Sequence, residues 1–371
     1  MKVLIAPNSL KNAANAAEIA DAIAEGFLRA SPGAEIRKMP LADGGEYTLA
    51  ILLSALGGEK VTSECVDPLG RTIRANYGMT KNNTAIIELS QASGYELLDA
   101  NQRRPLLTST FGTGLQIKDA LEKGCNKIIL TLGGSATVDG GGGILQALDV
   151  RLLDKNGNDL PPGGGNLIIL DRFDDSTMEN SVRQASFTIL CDVKNPLLGK
   201  NGAAMVFAPQ KGAGYLETIL LERCLSNFGS KCEQQAGRSL IRTEGAGAAG
   251  GVAAGLMTFF DTKIVPGTSF ILDLLQAEDH LEWADLVITA EGSLDQQTYG
   301  GKAPSVLASR AKKRNKRVIC IAGKVPHRVD QPDKVFDAVF AMQNQPMSLE
   351  DSIRNTLVNI RNTAYEIGRI L

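Results

Sequence analysis

Histidine is almost absent: His280 and His327 are the only two among 371 residues, which excludes a three-histidine metal centre. Each is expected to be a surface or packing residue, so carboxylates, lysines and backbone amides must carry most of any chemistry. The six cysteines (Cys65, Cys125, Cys191, Cys224, Cys232 and Cys320) lack C-x-x-C spacing, so neither a disulfide framework nor a cysteine zinc site is expected. A surplus of charge is missing as well. With 39 basic and 41 acidic residues the formal net charge is −2, which offers no broad basic field for nucleic acid or anionic lipid. No apolar run approaches the roughly 18 residues of a membrane span, and the run in Met1–Pro7 is too short for a signal peptide. A cytoplasmic protein with no membrane partner is expected, and a homo-oligomer is compatible with the sequence. Two phosphate-binding patterns are also missing. The P-loop pattern G-x-x-x-x-G-K-S/T fails because Ala303 follows Gly301-Lys302 and Val325 follows Gly323-Lys324. The first apolar run leads into Ala6-Pro-Asn-Ser-Leu-Lys11 rather than G-x-G-x-x-G, which argues against a nicotinamide dehydrogenase.

What is present is a chain with 43% hydrophobic and 22% charged residues, enough for a large core and, by size, about two domains. Apolar runs followed by turn residues and helical periodicity recur, the pattern of βα units in a mostly parallel sheet. Six runs stand out: 3–6, 36–39, 128–131, 286–289, 318–321 and 338–341, with helical stretches at 14–28 and 353–371. They are expected to form one doubly wound sheet. Ligands of such sheets lie beyond the carboxyl ends of the strands, where this chain places Pro7-Asn-Ser9, Ala42-Asp-Gly-Gly-Glu46, Gly133-Gly-Ser135, Ala290-Glu-Gly-Ser293 and Ala322-Gly-Lys324. Strand-like pieces at 61–65, 72–77, 85–89, 187–190 and 203–207 suggest a second α/β domain inserted into the first. The expected division is 1–58, 105–150 and 283–371 for one domain, and 59–104 with 151–282 for the other.

The most telling segment is Leu132-Gly-Gly-Ser-Ala-Thr-Val-Asp-Gly-Gly-Gly-Gly143. It reads as a strand end, a glycine-rich turn and a helix start. Backbone amides and the positive end of a helix dipole at such a turn make an anion site, with Ser135, Thr137 and Asp139 adding hydroxyls and a carboxylate. Gly133, Gly134 and Gly140 would supply the close backbone approach. A tight connection without a ligand is the competing explanation. Acidic residues in turn settings, namely Asp43, Glu46, Asp139, Asp192, Glu291 and Asp295, could hold Mg²⁺ or accept a hydroxyl proton, or simply cap helices. Lys11, Lys211 and Lys302 could neutralise phosphate oxygens. Of two further glycine clusters, Phe111-Gly-Thr-Gly114 and Gly245-Ala-Gly-Ala-Ala-Gly-Gly251, the second suits ligand approach and close helix packing equally.

Taken together, the motifs resemble the bacterial glycerate kinase family, whose members begin with a Pro-Asp-Ser-Phe-Lys motif and lack a P-loop. The likeness runs nearly end to end: Ala6–Lys11, Leu41–Glu46, Asp67-Pro-Leu-Gly70, Ala92–Gly94, Gly112–Gly114, Gly133–Thr137 with Asp139–Gly141, Cys191–Val193 with Asn195–Leu197, Pro209–Ala213, Gly245–Gly251, Glu291–Gly292 with Asp295, and Gly301–Pro304. The resemblance implies transfer of phosphate from ATP to D-glycerate, giving 2-phosphoglycerate, with Mg²⁺ required. It also implies a flavodoxin-like doubly wound domain carrying an inserted domain of restriction-endonuclease-like topology, with the active site in the cleft between them. On this reading the glycine-rich turn (Gly133, Gly134, Ser135, Thr137, Asp139, Gly140) takes Mg²⁺-ATP, with Asp139 and Asp192 as metal contacts. Asp192 first, or Asp43, orients the acceptor hydroxyl. Lys11 and Lys211 offset phosphoryl charge, and Ser9, Glu46, Glu291, Asp295 and Lys302 hold the acceptor. Five motif positions depart from the family pattern. Asn8 replaces Asp, Leu10 replaces Phe or Tyr, Tyr47 replaces Gly, Val138 replaces Asn, and Ser293 replaces Arg. The changes at Asn8 and Ser293 remove a carboxylate and a fixed cation. They keep open a kinase for another small hydroxy acid, or a catalytically weakened metabolite-binding relative.

Overall fold

The computed structural model describes residues 1–44, 47–294, 301–325 and 335–371. The chain is mixed α/β and divides into two units, Met1–Asp43 with Thr268–Leu371, and Gly44–Gly267.

The first unit is built on five strands: β1 (Lys2–Ile5), β2 (Glu35–Lys38), β11 (Leu286–Ser293), β12 (Arg317–Lys324) and β13 (Ala338–Ala341). Their order is β13-β12-β11-β1-β2 and every pairing is parallel. Strand period decides which side chain goes to which face. Val3 and Ile5 pack with Ile19, Ile23, Phe27 and Ile360, while Leu4 packs on the opposite face with Leu281 and Leu307. Helices therefore cover both faces. Asn15 and Glu18 form a reciprocal capping box that starts helix Ala16–Ala30. The strand order reverses between β1 and β11, and in a parallel sheet that reversal opens a crevice beyond the carboxyl ends.

The second unit holds β3 (Gly58–Val66), β4 (Thr72–Thr80), β5 (Thr84–Glu88), β6 (Lys127–Thr131), β9 (Ser186–Leu190) and β10 (Asp261–Val265), in the order β10-β9-β6-β5-β4-β3. The β3–β4 and β4–β5 pairs are antiparallel and the rest parallel. A separate two-stranded ribbon pairs β7 (Arg151–Leu153) with β8 (Arg172–Asp174). The motif Asp67-Pro-Leu-Gly70 is the β3–β4 turn: Asp67 Oδ1 accepts from the Leu69 and Arg71 amides at 2.8 and 3.0 Å.

Two expectations are corrected here. The run 128–131 does not join the β1 sheet but lies between β5 and β9, so 105–150 belongs with the second unit, which is the single stretch Gly44–Gly267. An apolar strand buried on both faces carries no address for one sheet over another. The piece 203–207 is a helix, Ala203–Phe207, rather than a strand. Gly202 precedes it in extended conformation, and its alanine-rich start suits a helix.

Candidate active site

In the first unit the polar residues gather at the strand reversal. Asn8 follows β1 and is 6% exposed; its amide Nδ2 donates to Glu291 Oε2 at 3.5 Å, at the far end of β11. The register of β1 against β11 brings them together, because the Asn8 amide N–H donates to the Ala290 carbonyl at 3.0 Å. Lys302, just ahead of helix Ala303–Lys312, lies 3.7 Å from Glu291 Oε1, and the Gly292 amide donates to the same oxygen at 3.0 Å. Burial pushes the Glu291 carboxyl above its ordinary value; Lys302, the Gly292 amide and the Asn8 amide hold it down, and the charge of Asp43 adds to the rise. Ser9 is half-buried and Lys11 is exposed. Glu46 and Asp295, expected acceptor contacts, lie outside the described residues, as does His327. His280 sits in helix Ala277–Trp283.

Asn8 stands where the resembled motif has a carboxylate, and its neighbour makes the difference measurable. An acid whose folded value is raised loses its charge at higher pH than usual, so activity that needs ionised Glu291 falls on the acid side as pH drops through that value. In Asn8→Asp a second carboxylate replaces a donor at hydrogen-bond distance, raising it further. The acid limb of kcat/KM is expected to move to higher pH. An unmoved limb would separate Glu291 from the reaction.

In the second unit the strand-turn-helix reading of the glycine-rich segment holds: β6 ends at Thr131 and helix Gly142–Ala147 follows. Gly140 and Gly141 turn the chain with φ of 65 and 77°, values that side chains resist. The carboxylate of Asp139 occupies the helix start. Its Oδ2 accepts from the Thr110 amide (2.7 Å), Thr110 Oγ1 (2.8 Å) and the Gly143 amide (3.2 Å), and Oδ1 accepts from the Gly141 amide (3.2 Å). Thr110 Oγ1 in turn accepts from the Ile144 amide at 3.1 Å. The helix start is thus satisfied within the chain, and Asp139, 1% exposed, has its lone pairs engaged. Burial raises its carboxyl while these hydrogen bonds oppose the rise. Of the turn, Gly133 and Gly134 are partly exposed, whereas Ser135, Thr137, Asp139 and Gly140 are buried. The Thr137 hydroxyl has no partner among the described residues.

Lys211 is buried beneath this turn and donates to Ser135 Oγ and to the Thr137 carbonyl, both at 2.7 Å. Burial brings its ammonium down to about 7 from the 10.5 of a solvated lysine, with Asp139 opposing. Between those values the unfolded chain binds a proton that the folded chain does not, so rising pH opposes unfolding. The stability difference between wild type and Lys211→Met is expected to shift in favour of wild type between about pH 7 and 9 in denaturant titrations. A flat difference would mean a solvated ammonium. The cluster Gly245–Gly251 turns out to serve packing. Gly250, at φ 74°, approaches so closely that a Cβ would lie 2.3 Å from the Thr137 carbonyl oxygen.

Asp192 is exposed just beyond β9. Glu88, Thr131 and Leu190 align across β5, β6 and β9, so Gly133 and Asp192 each lie two residues past the same row, at one sheet edge. Sequence reasoning missed Thr110 and Glu88. A carboxylate ending the apolar run at 85–87 was the available signal for Glu88, whose Oε1 accepts from the Leu49 amide at 2.7 Å at a helix start.

Residues 3–371 match the profile described as the glycerate kinase family. The chain belongs to that family. It is 42% identical over 354 residues to a glycerate kinase of Halalkalibacterium halodurans, covering 95% of this chain and 93% of the relative. It is 39% identical to the glycerate 2-kinase of Escherichia coli, covering 100% and 98%. A crystal structure from Salmonella typhimurium bearing the name glycerate kinase 2 aligns with a TM-score of 0.85 at 40% identity, covering 100% of this chain and 98% of that one. As a member of this family the chain is a phosphotransferase. No helix among the described residues is long and apolar enough to cross a membrane.

Proposed function

We propose that this protein transfers the γ-phosphoryl group of ATP to D-glycerate, giving 2-phosphoglycerate and ADP, with Mg²⁺ required. The observation that carries the reading is the family match from residue 3 to residue 371, together with relatives that include one named glycerate 2-kinase over the whole chain. In this reading Gly133 and Gly134 present backbone to the nucleotide phosphates, while Ser135, Thr137, Asp139 and Gly140 hold the turn in shape beneath them. Asp192 orients the acceptor hydroxyl and takes its proton as the new oxygen–phosphorus bond forms and the bond to the β-phosphate oxygen breaks. Asp43 is the second candidate for that task. Lys211 acts through the turn that it anchors, and exposed Lys11 offsets charge on the transferring group. Ser9, Glu291 and Lys302 contact the acceptor, with Asn8 fixing the Glu291 carboxylate.

The donors fit Mg²⁺ unequally. Asp139 has four hydrogen bonds on its carboxylate, whereas exposed Asp192 fits the usual pattern of one or two carboxylates completed by phosphate oxygens and water. When bound, the ion supplies charge neutralisation on the phosphates. A second reading, a kinase for another small hydroxy acid or a weakened metabolite-binding relative, is favoured by one observation, the neutral Asn8 amide against Glu291.

The test is a phosphorus NMR time course with Mg²⁺-ATP and D-glycerate, beside L-glycerate and a control without acceptor. A new phosphomonoester signal coupled to the C2 proton is expected with D-glycerate alone. Silence from folded protein that binds ATP would turn attention to other hydroxy acids.

A further inference from the structure

The second unit contains a pocket of about 600 Å³ whose lining includes Tyr47, Leu49, Leu53, Glu88, Gln91 and Gly134. Such a volume is far larger than a three-carbon hydroxy acid requires and is of the size that holds a drug-sized ligand. Its chemistry is amphipathic. Leu49 and Leu53 offer an apolar wall from helix Thr48–Leu56. Gln91 donates its amide nitrogen to Glu88 Oε2 at 3.2 Å, which leaves the amide oxygen as the atom to accept from a ligand N–H. With Glu88 and Glu96 in the lining against a single cation, Lys60, the balance disfavours a small anion and suits a neutral heteroaromatic amine.

The most telling wall residue is Tyr47. It is 47% exposed, a large ring left in solvent, and its backbone lies in the left-handed region at φ 66 and ψ 3°, which is costly for a bulky side chain. No side-chain cap bond explains the conformation. Gly134, one of the two partly exposed residues of the glycine-rich turn, belongs to the same lining. An aromatic face, an apolar wall and a hydrogen-bond acceptor therefore adjoin the turn assigned above to phosphate.

We propose that this pocket holds the purine base and ribose of the phosphoryl donor, with the Tyr47 ring stacked on the base, the Gln91 amide oxygen accepting from its exocyclic amine, and the phosphates leading toward Gly133 and Gly134. The assignment of those two glycines rests on the function proposed above, but the base site is testable without turnover.

The experiment is calorimetry with two probes, ADP and inorganic tripolyphosphate, on wild type, Tyr47→Phe and Tyr47→Gly. Glycine suits the left-handed backbone, so Tyr47→Gly is expected to fold with an undiminished melting temperature. Stacking on one base is substantial, so its ADP dissociation constant is expected to rise roughly ten-fold. Tyr47→Phe keeps the ring and stays within about two-fold of wild type. Tripolyphosphate, which has no base, binds all three proteins alike. Equal ADP affinity in wild type and Tyr47→Gly overturns the proposal. So does a parallel loss for ADP and tripolyphosphate, which would mark a distorted turn, or a failure of wild type to bind ADP. Base-dependent ADP binding in a protein that phosphorylates no glycerate would uphold the pocket while removing the kinase reading.

Discussion

Asp139→Ala is expected to lower the unfolding free energy by about 3–5 kcal/mol, because it strands several interior donors at once. The carboxylate accepts from three backbone amides (Thr110, Gly141 and Gly143) and from the Thr110 hydroxyl. An unsatisfied buried donor costs about 1–3 kcal/mol, and relaxation recovers part of the sum. Asp139→Asn is expected to recover little, since its NH₂ group faces donors where the acid offered an acceptor. The loss also lowers Lys211 further below a solvated lysine, because the Asp139 charge is what opposes burial there. Urea titration at neutral pH measures the effect through its midpoint at unchanged slope. A loss under about 1 kcal/mol would mean that water replaces the carboxylate.

The largest effect on rate is expected at Asp192. Its carboxylate is exposed at the edge that also carries Gly133, so Asp192→Ala leaves the core untouched and the melting temperature close to that of wild type. Removing a group that orients and deprotonates the acceptor hydroxyl costs roughly 10²–10⁴ in kcat. Glycerate phosphorylation followed by coupled ADP release gives the value directly, and Asp43→Ala run beside it distinguishes the two candidates. Near-normal turnover in Asp192→Ala with collapse in Asp43→Ala would move the role to the first unit, beside Glu291.

The placement of many candidate residues was legible because its signals are local. Pro7-Asn-Ser9 follows an apolar run, Ala290-Glu-Gly-Ser293 ends another, and runs of this kind in parallel sheets place their followers at one edge. The turn at Gly140 and Gly141 was equally legible, since only glycine takes those φ values without penalty. Less legible was what each polar group does once folded. Asp139 was expected as a metal or phosphate contact, and the fold surrounds its carboxylate with the donors of its own turn and of Thr110, a residue 29 positions away. Lys211 looked like a cation placed to offset phosphoryl charge, and its burial under Ser135 and Thr137 became visible only with the fold.

Strand period, turn sterics and charge by themselves pointed to a two-part α/β chain and marked candidate loops, because they are properties of a few consecutive residues, while the likeness of its ordered motifs pointed to the glycerate kinase family that the whole-chain match shows. Tertiary structure alone decided that 128–131 pairs with β5 and β9, that Glu88 and Asp139 serve helix starts, and that Tyr47 and Gly134 line one pocket. Those outcomes depend on partners tens of residues apart, and burial, which sets whether a carboxylate or an ammonium meets water or backbone, exists only once those partners have met.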